Sequence, residues 1–90
     1  MSYQLEEEAV IEAIDTTTYK LVVLNDEVNS FDFVIETLIK VCKHTAEQAE
    51  QCTMIIHYKG KCVVKVGDYE TLASMCTAIT DRGIGAEISN

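Results

Sequence analysis

The chain has 90 residues, of which 48% are hydrophobic and 24% are charged. This composition is typical of one soluble globular domain. A domain of this size removes only about 60% of the unfolded chain's surface from water, so we expect a modest core and a shallow surface site rather than a large internal cavity. Fifteen acidic residues against seven basic ones give a net charge of -8, which disfavours binding to nucleic acid or to an anionic membrane surface.

The acidic residues are concentrated at the N-terminus. Residues 1–18 contain five acidic and no basic residues, a charge block typical of a poorly ordered arm. The longest apolar run, residues 21–24, is far shorter than the ~20 residues that cross a bilayer, and the N-terminus lacks the positive flank of a signal peptide. We therefore predict an acidic flexible arm over residues 1–18, a folded domain over residues 19–90, and a cytoplasmic location.

The first strand and helix are indicated by a change in pattern near Asn25. The β-branched and aliphatic stretch from Tyr19 to Leu24 is followed by a polar cluster, which predicts a buried strand that runs into a turn. Ser30 is a suitable N-cap for a helix. Apolar residues then recur with helical spacing on one predicted core face: Phe31, Val34, Ile35, Leu38 and Cys42.

Thr45 and Gln48 form a capping-box pattern, which predicts a second helix from Ala46 to about His57. Gly60 then supplies the residue that commonly follows a helix end. The alternating segment 61–66 predicts a strand with one covered side. The residues expected on that side are Cys62, Val64 and Val66.

Asp68 is a suitable N-cap for a third helix that ends at Arg82 and Gly83. The alternating residues 84–88 predict a last short strand. The element order is therefore β-α-α-β-α-β, without a repeat. This order predicts an α+β fold: a small, mostly antiparallel three-stranded sheet with three helices packed on it.

The four cysteines give no sign of a metal site. Cys42, Cys52, Cys62 and Cys76 are 10, 10 and 14 positions apart, without a C-x-x-C pair. We interpret them as reduced core thiols and predict neither a metal nor a cofactor. No common nucleophile or phosphate-binding motif is present, so we predict that the protein is not an enzyme. A small Cys/His hydrolase or metal protein remains the alternative from another class.

Polar residues adjoin apolar ones at two places, namely Asn25-Asp26-Glu27 at the end of the first strand and His57 at the end of the second helix. Ordinary turn formation accounts for the first cluster. A favourable interaction with the helix dipole, or simple coverage of the core, accounts for His57. The residue pattern alone leaves these structural roles and a binding role open.

Three motifs in this order resemble the ClpS family, adaptors of the Clp protease system, across about residues 19–88. They are Leu24-Asn25-Asp26-Glu27, the segment from Phe31 to Ile35, and His57-Tyr58-Lys59-Gly60-Lys61. The resemblance implies a monomeric adaptor for N-degron substrates. Such an adaptor binds the free amino terminus of a substrate whose first residue is of the Leu, Phe, Tyr or Trp type, and delivers it to the N-terminal domain of a ClpA- or ClpC-type AAA+ ATPase.

The resemblance also implies residue roles. The α-amino-group ligands fall on Asn25, Asp26 and His57, and a contact to the ATPase falls on Glu70. An α-ammonium carries three donors and one positive charge, which an amide oxygen, a carboxylate and a neutral imidazole match. The hydrophobic pocket falls on Phe31, Thr53, Met54, Ile56 and Ile84.

Two departures from the family's pattern affect the predicted pocket. Asn29-Ser30-Phe31 stands where the family usually has Thr-Pro-Met, and Thr53 stands at the position of a pocket-gating Met. The preference among hydrophobic first residues therefore stays open. The alternative within the same fold is an interaction domain that docks a Clp ATPase without reading amino termini.

Overall fold

Three strands and three helices follow one another in the predicted order in the computed structural model, which describes residues 18–90. The strands are β1 (Tyr19–Leu24), β2 (Lys61–Gly67) and β3 (Ala86–Ser89). The helices are α1 (Phe31–Cys42), α2 (Ala46–Lys59) and α3 (Tyr69–Asp81). The arm predicted over residues 1–18 lies, apart from its last residue, outside the described residues. None of the helices in residues 18–90 is long and apolar enough to cross a membrane.

The central strand of the sheet is β1, which pairs antiparallel with both β2 and β3. Its residues Leu21 and Val23 are fully buried, because the helices pack against the sheet and cover these side chains. The helices contribute the other large part of the core: Val34, Leu38, Cys42, Ala49, Ile56, Leu72 and Ile79. The predicted α+β fold is confirmed.

Each helix begins at its predicted N-cap. Ser30 accepts a hydrogen bond from the backbone N–H of Phe33, and Asp68 accepts one from that of Thr71. Thr45 and Gln48 form the complete capping box. These contacts satisfy N–H groups of the first turn that have no partner within the helix. They fix the start of each helix locally, which is why the sequence identified them.

The prediction that Val66 shares the covered side of β2 with Cys62 is wrong. The pairing with β1 shifts register between Leu21 and Val22, so that Val64 is an extra residue in β2. A bulge of this kind inverts the alternation of side chains beyond it, and Val66 is 55% exposed. The carbonyl of Val64 accepts a hydrogen bond from Nε2 of His44 at 2.7 Å.

The last strand begins two residues later than the alternation predicted. Ile84 lies in the turn before β3 and is 2% exposed, because it packs into the core rather than along the sheet. The carbonyl of Gly85 accepts a hydrogen bond from the backbone N–H of Leu24 at 2.9 Å. The end of β1 is therefore held beside the turn that joins α3 to β3.

Candidate functional site

A cavity of about 350 Å³ lies between α2 and the loop that joins β1 to α1. One part of its lining is polar and the other is apolar. The lining residues are Leu24, Asn25, Asp26, Glu27, Asn29, Phe31, Val34, Thr53, Ile56 and His57. We call residues 25–29 the loop wall, and Thr53, Ile56 and His57 of α2 the helix wall.

The loop wall is held by the turn that follows α2. Gly60 has a φ of 96°, the left-handed conformation that glycine adopts without steric cost. Its carbonyl accepts a hydrogen bond from the backbone N–H of Asn25 at 2.9 Å. The same glycine therefore ends α2 and fixes the start of the loop wall beside His57.

Asp26 organises the rest of the loop wall. Its Oδ1 accepts hydrogen bonds from the backbone N–H groups of Val28 and Asn29, and its Oδ2 accepts one from the side-chain amide of Asn29. The backbone N–H of Asn29, followed by its side-chain amide, lowers the pKa of Asp26 from its ordinary value. A carboxylate has about four acceptor positions, so Oδ2 retains one for a further donor.

Three other acceptors at the cavity have no partner among residues 18–90. The side-chain amide of Asn25, the carboxylate of Glu27 and the ring nitrogens of His57 make no hydrogen bond or ion pair with any described residue. Asn25, Glu27 and His57 are also exposed to solvent. The His57 ring makes an edge contact with Phe31, with the ring centroids 6.3 Å apart. The polar part of the cavity thus offers an amide oxygen, an anion and an imidazole.

The apolar part of the cavity is formed by Leu24, Phe31, Val34 and Ile56. Phe31, which periodicity placed on the core face of α1, is instead 38% exposed and lines the cavity. Thr53 is buried, and its hydroxyl donates a hydrogen bond to the Ala49 carbonyl at 2.7 Å. That hydroxyl hydrogen is therefore already used within α2.

The structure brings most of the predicted site residues together. Those that line the cavity are Asn25, Asp26, Phe31, Thr53, Ile56 and His57. Met54 is 45% exposed and Ile84 is in the core, and neither belongs to the lining. Glu70 lies in the first turn of α3, exposed and outside the lining.

Four lining residues were not among the predicted site residues, namely Leu24, Glu27, Asn29 and Val34. Glu27 follows the predicted ligands directly in the chain, which is a usable signal. Asn29 lies three residues after Asp26, a spacing typical of side-chain bonds that close polar turns. Val34 lines the cavity because of how α1 packs against α2. A short stretch of sequence does not predict that packing.

Three of the four cysteines, Cys42, Cys62 and Cys76, are poor nucleophiles. All four are free, and Cys42 is fully buried while the others are half-buried. Burial raises the pKa of the Cys42 thiol to about 11, and it also raises the pKa values of Cys62 and Cys76. Because the thiolate is the reactive form, these three side chains do not favour the hydrolase alternative. Within residues 18–90 no group of three His, Cys, Asp or Glu side chains is arranged to hold a metal ion.

Comparison with known proteins identifies the family. The family model described as ATP-dependent Clp protease adaptor protein ClpS matches residues 15–86. The chain belongs to the ClpS family. A ClpS adapter from Acetivibrio thermocellus is 43% identical over 56 residues, which are 62% of this chain and 57% of that protein. A ClpS adapter from Escherichia coli is 36% identical over 64 residues, or 70% and 60% of the two chains.

The matched segments thus span about three fifths of the length of these ClpS relatives. A solved structure of Agrobacterium tumefaciens ClpS2 bound to L-phenylalaninamide has the same fold. It superposes with a TM-score of 0.78, at 23% identity, over 81% of this chain and 95% of that one. The fold of the chain is therefore the one expected for a member of the ClpS family.

Proposed function

We propose that this ClpS-family chain is a non-catalytic adaptor that binds the free α-amino group and the large hydrophobic first side chain of a substrate polypeptide. It then delivers the substrate to a Clp ATPase of the ClpA or ClpC type. The observation that carries the proposal is the composition of one cavity. Acceptors on Asn25, Glu27 and His57 that have no partner among residues 18–90 lie beside the apolar side chains of Leu24, Phe31 and Ile56.

An α-ammonium group matches the polar part of the cavity. It presents three donors and a positive charge, so it needs acceptors from several directions and an anion nearby. Asn25 and His57 offer two acceptors, and Glu27 offers a carboxylate that has no partner in the described part of the chain. Asp26 adds negative charge and its remaining acceptor position on Oδ2. A hydrogen bond that involves a charged group contributes about 1.5 to 3 kcal/mol.

The apolar part matches the side chain of the first residue. Burial of a Leu or Phe side chain contributes about 1.5 to 3 kcal/mol. Together with the contacts to the ammonium, this is enough for affinity in the micromolar range with only the first residues engaged. The ligand of the Agrobacterium protein, L-phenylalaninamide, combines a free α-amino group with an aromatic side chain, which supports the proposal.

Acetylation of the peptide N-terminus tests the binding step. We expect a fluorescein-labelled Leu-peptide with a free amino terminus to bind at least about a hundredfold more tightly than its acetylated form, because acetylation removes the charge and leaves acceptors that the bound peptide covers without a donor. Fluorescence anisotropy measures both affinities. His57→Ala should weaken binding of the free peptide about tenfold or more, with little change for the acetylated one. Equal affinities of the wild type for both peptides would contradict the proposed binding function.

A second titration tests delivery. Glu70 is exposed on α3 and outside the cavity lining. We expect Glu70→Lys to weaken binding to the isolated N-terminal domain of a ClpA- or ClpC-type ATPase while the affinity for the Leu-peptide stays unchanged. Binding of the ATPase domain by a wild type that does not discriminate between the two peptides would instead support the interaction-domain alternative.

A further inference from the structure

We propose that Asn29 is a positioning residue for the cavity, and that its side-chain amide ties the Asp26 carboxylate to the turn between α3 and β3. The part of this proposal that concerns ligand affinity rests on the proposed function. The part that concerns the geometry of Asp26 does not. Asn29 itself lines the cavity, three residues beyond Asp26 and on the same loop wall.

The contacts of one nitrogen atom carry the proposal. Nδ2 of Asn29 lies 2.8 Å from Oδ2 of Asp26 and 2.9 Å from the carbonyl oxygen of Gly83. The two acceptors are 57 residues apart in the chain, so this amide joins the loop wall to a distant turn. Gly83 has a φ of 90°, a conformation that other residues rarely adopt. The turn that presents its carbonyl is therefore specified by the sequence.

The residue type suits this role. A side-chain amide has two N–H donors on one nitrogen, which can serve two acceptors at once. A Ser or Thr hydroxyl has one donor, and an Asp carboxylate has none at neutral pH. Asn29 also donates its backbone N–H to Oδ1 of Asp26 at 2.8 Å. Both carboxylate oxygens are therefore held by this residue, and one acceptor position on Oδ2 is kept in a defined direction.

The consequence for binding is preorganisation of the loop wall. With Asp26 fixed from two sides, Asn25 and Glu27 on either side of it in the chain are held in place before a ligand arrives. Ordering these groups on binding would otherwise reduce the affinity. Asn29 acts through Asp26, so its effect should fall on recognition of the ammonium group rather than on the apolar part of the cavity.

The experiment compares Asn29→Leu, which keeps a similar shape without donors, with Asn29→Gln, which keeps both donors on a longer side chain. Gln51→Ala is the control, because it removes an exposed amide that has no partner among residues 18–90. Carbon-detected NMR titration measures the pKa of Asp26 in the full chain. Anisotropy measures affinity for free and acetylated Leu-peptides, and thermal unfolding confirms that each variant is folded.

We expect Asn29→Leu to raise the pKa of Asp26 and to reduce the ratio of free to acetylated affinity about tenfold. Asn29→Gln should bring the pKa of Asp26 and the affinity ratio part of the way back to their wild-type values. Gln51→Ala should change neither the pKa nor the ratio. A folded Asn29→Leu variant with the wild-type pKa of Asp26 would overturn the proposal whatever the peptides do. If the wild type fails to discriminate between the peptides, the proposed function fails, and the NMR result still decides the role of Asn29. An unchanged affinity ratio in Asn29→Leu, in a protein whose wild type discriminates, would also overturn it.

Discussion

The two walls of the cavity are held in place by different forces. On the helix wall, Thr53 and Ile56 are 3% and 4% exposed and pack into the core. The loop wall contains exposed residues such as Asn25 and Glu27, and hydrogen bonds to two glycine-containing turns hold it. Substitution of buried Ile56 on the helix wall should therefore mainly change the free energy of unfolding, whereas substitutions on the loop wall or at exposed His57 should mainly change recognition of a ligand.

The largest effect on stability is expected from Ile56→Ala. This variant removes buried methyl and methylene groups and leaves a void, which costs about 2 to 5 kcal/mol of unfolding free energy. Urea denaturation measures the loss. Ile55→Ala is a matched control, because the neighbouring Ile55 is 43% exposed and should cost much less. Equal losses for the two variants would show that the helix wall is not anchored by the core as described.

The two turns that hold the loop wall should be the next most sensitive positions. Gly60 and Gly83 have φ values of 96° and 90°, and a Cβ atom would meet nothing within 4 Å at either one. Alanine at these positions should therefore cost only its backbone strain, about 1 to 2 kcal/mol. Gly67→Ala is the control, since its Cβ would make an ordinary contact of 3.9 Å with Leu72. Urea midpoints unchanged in the Gly60 and Gly83 variants would show that the turns relax without cost.

Most of the fold followed from local signals in the sequence. Ser30, Thr45 and Asp68 each bond to a residue three positions away, so a short sequence window contains both partners. The bulge at Val64 had no such signal, because it is set by pairing with β1. The bond from Asn29 to Gly83 spans 54 residues and likewise depends on the tertiary fold.

The site was predicted less completely than the fold. The α-amino-group ligands were assigned from the resemblance to the ClpS family. The residue pattern alone also allowed an ordinary turn at residues 25–27. On α2, Thr53, Ile56 and His57 are spaced as one helix face. Met54 is rotated by about 100° from Thr53 in a helix of 3.6 residues per turn, which explains why it is exposed. Helical spacing thus separates the residues that line the cavity from the neighbour that does not.

A smaller effect is expected from Asp26, and it depends on pH. Because hydrogen bonds lower its pKa in the folded protein, Asp26 stabilises the fold above its unfolded pKa of about 3.9, and this stabilisation is lost as the pH falls through the lowered folded value. We expect Asp26→Asn to cost at most about 1 kcal/mol at pH 7, since solvent weakens these contacts.

Urea denaturation at pH 7 and at pH 2 measures this dependence. The difference between wild type and Asp26→Asn should shrink at the lower pH. The control is Asp68→Asn at the N-cap of α3, where bonds from the side chain and then the backbone of Thr71 lower the pKa of Asp68. Both variants should change the acid sensitivity of the fold, but only Asp26→Asn should weaken binding of the free Leu-peptide. Equal peptide affinities in the two variants would show that Asp26 does not contribute to binding of the peptide.

The smallest effect is expected from the hydroxyl of Thr53. This side chain carries a hydroxyl and a methyl group, and two variants test which of them matters for the ligand. Thr53→Val keeps the shape and removes a bond to the Ala49 carbonyl, which still accepts the regular backbone bond of the helix. We expect less than about 1 kcal/mol of lost stability and no measurable change in Leu-peptide affinity. Thr53→Ser keeps the hydroxyl and removes one methyl, so affinity should fall about threefold to fourfold. The opposite order of affinities would mean that the hydroxyl contacts the ligand, and Thr53 would then belong with His57 to the polar part of the cavity.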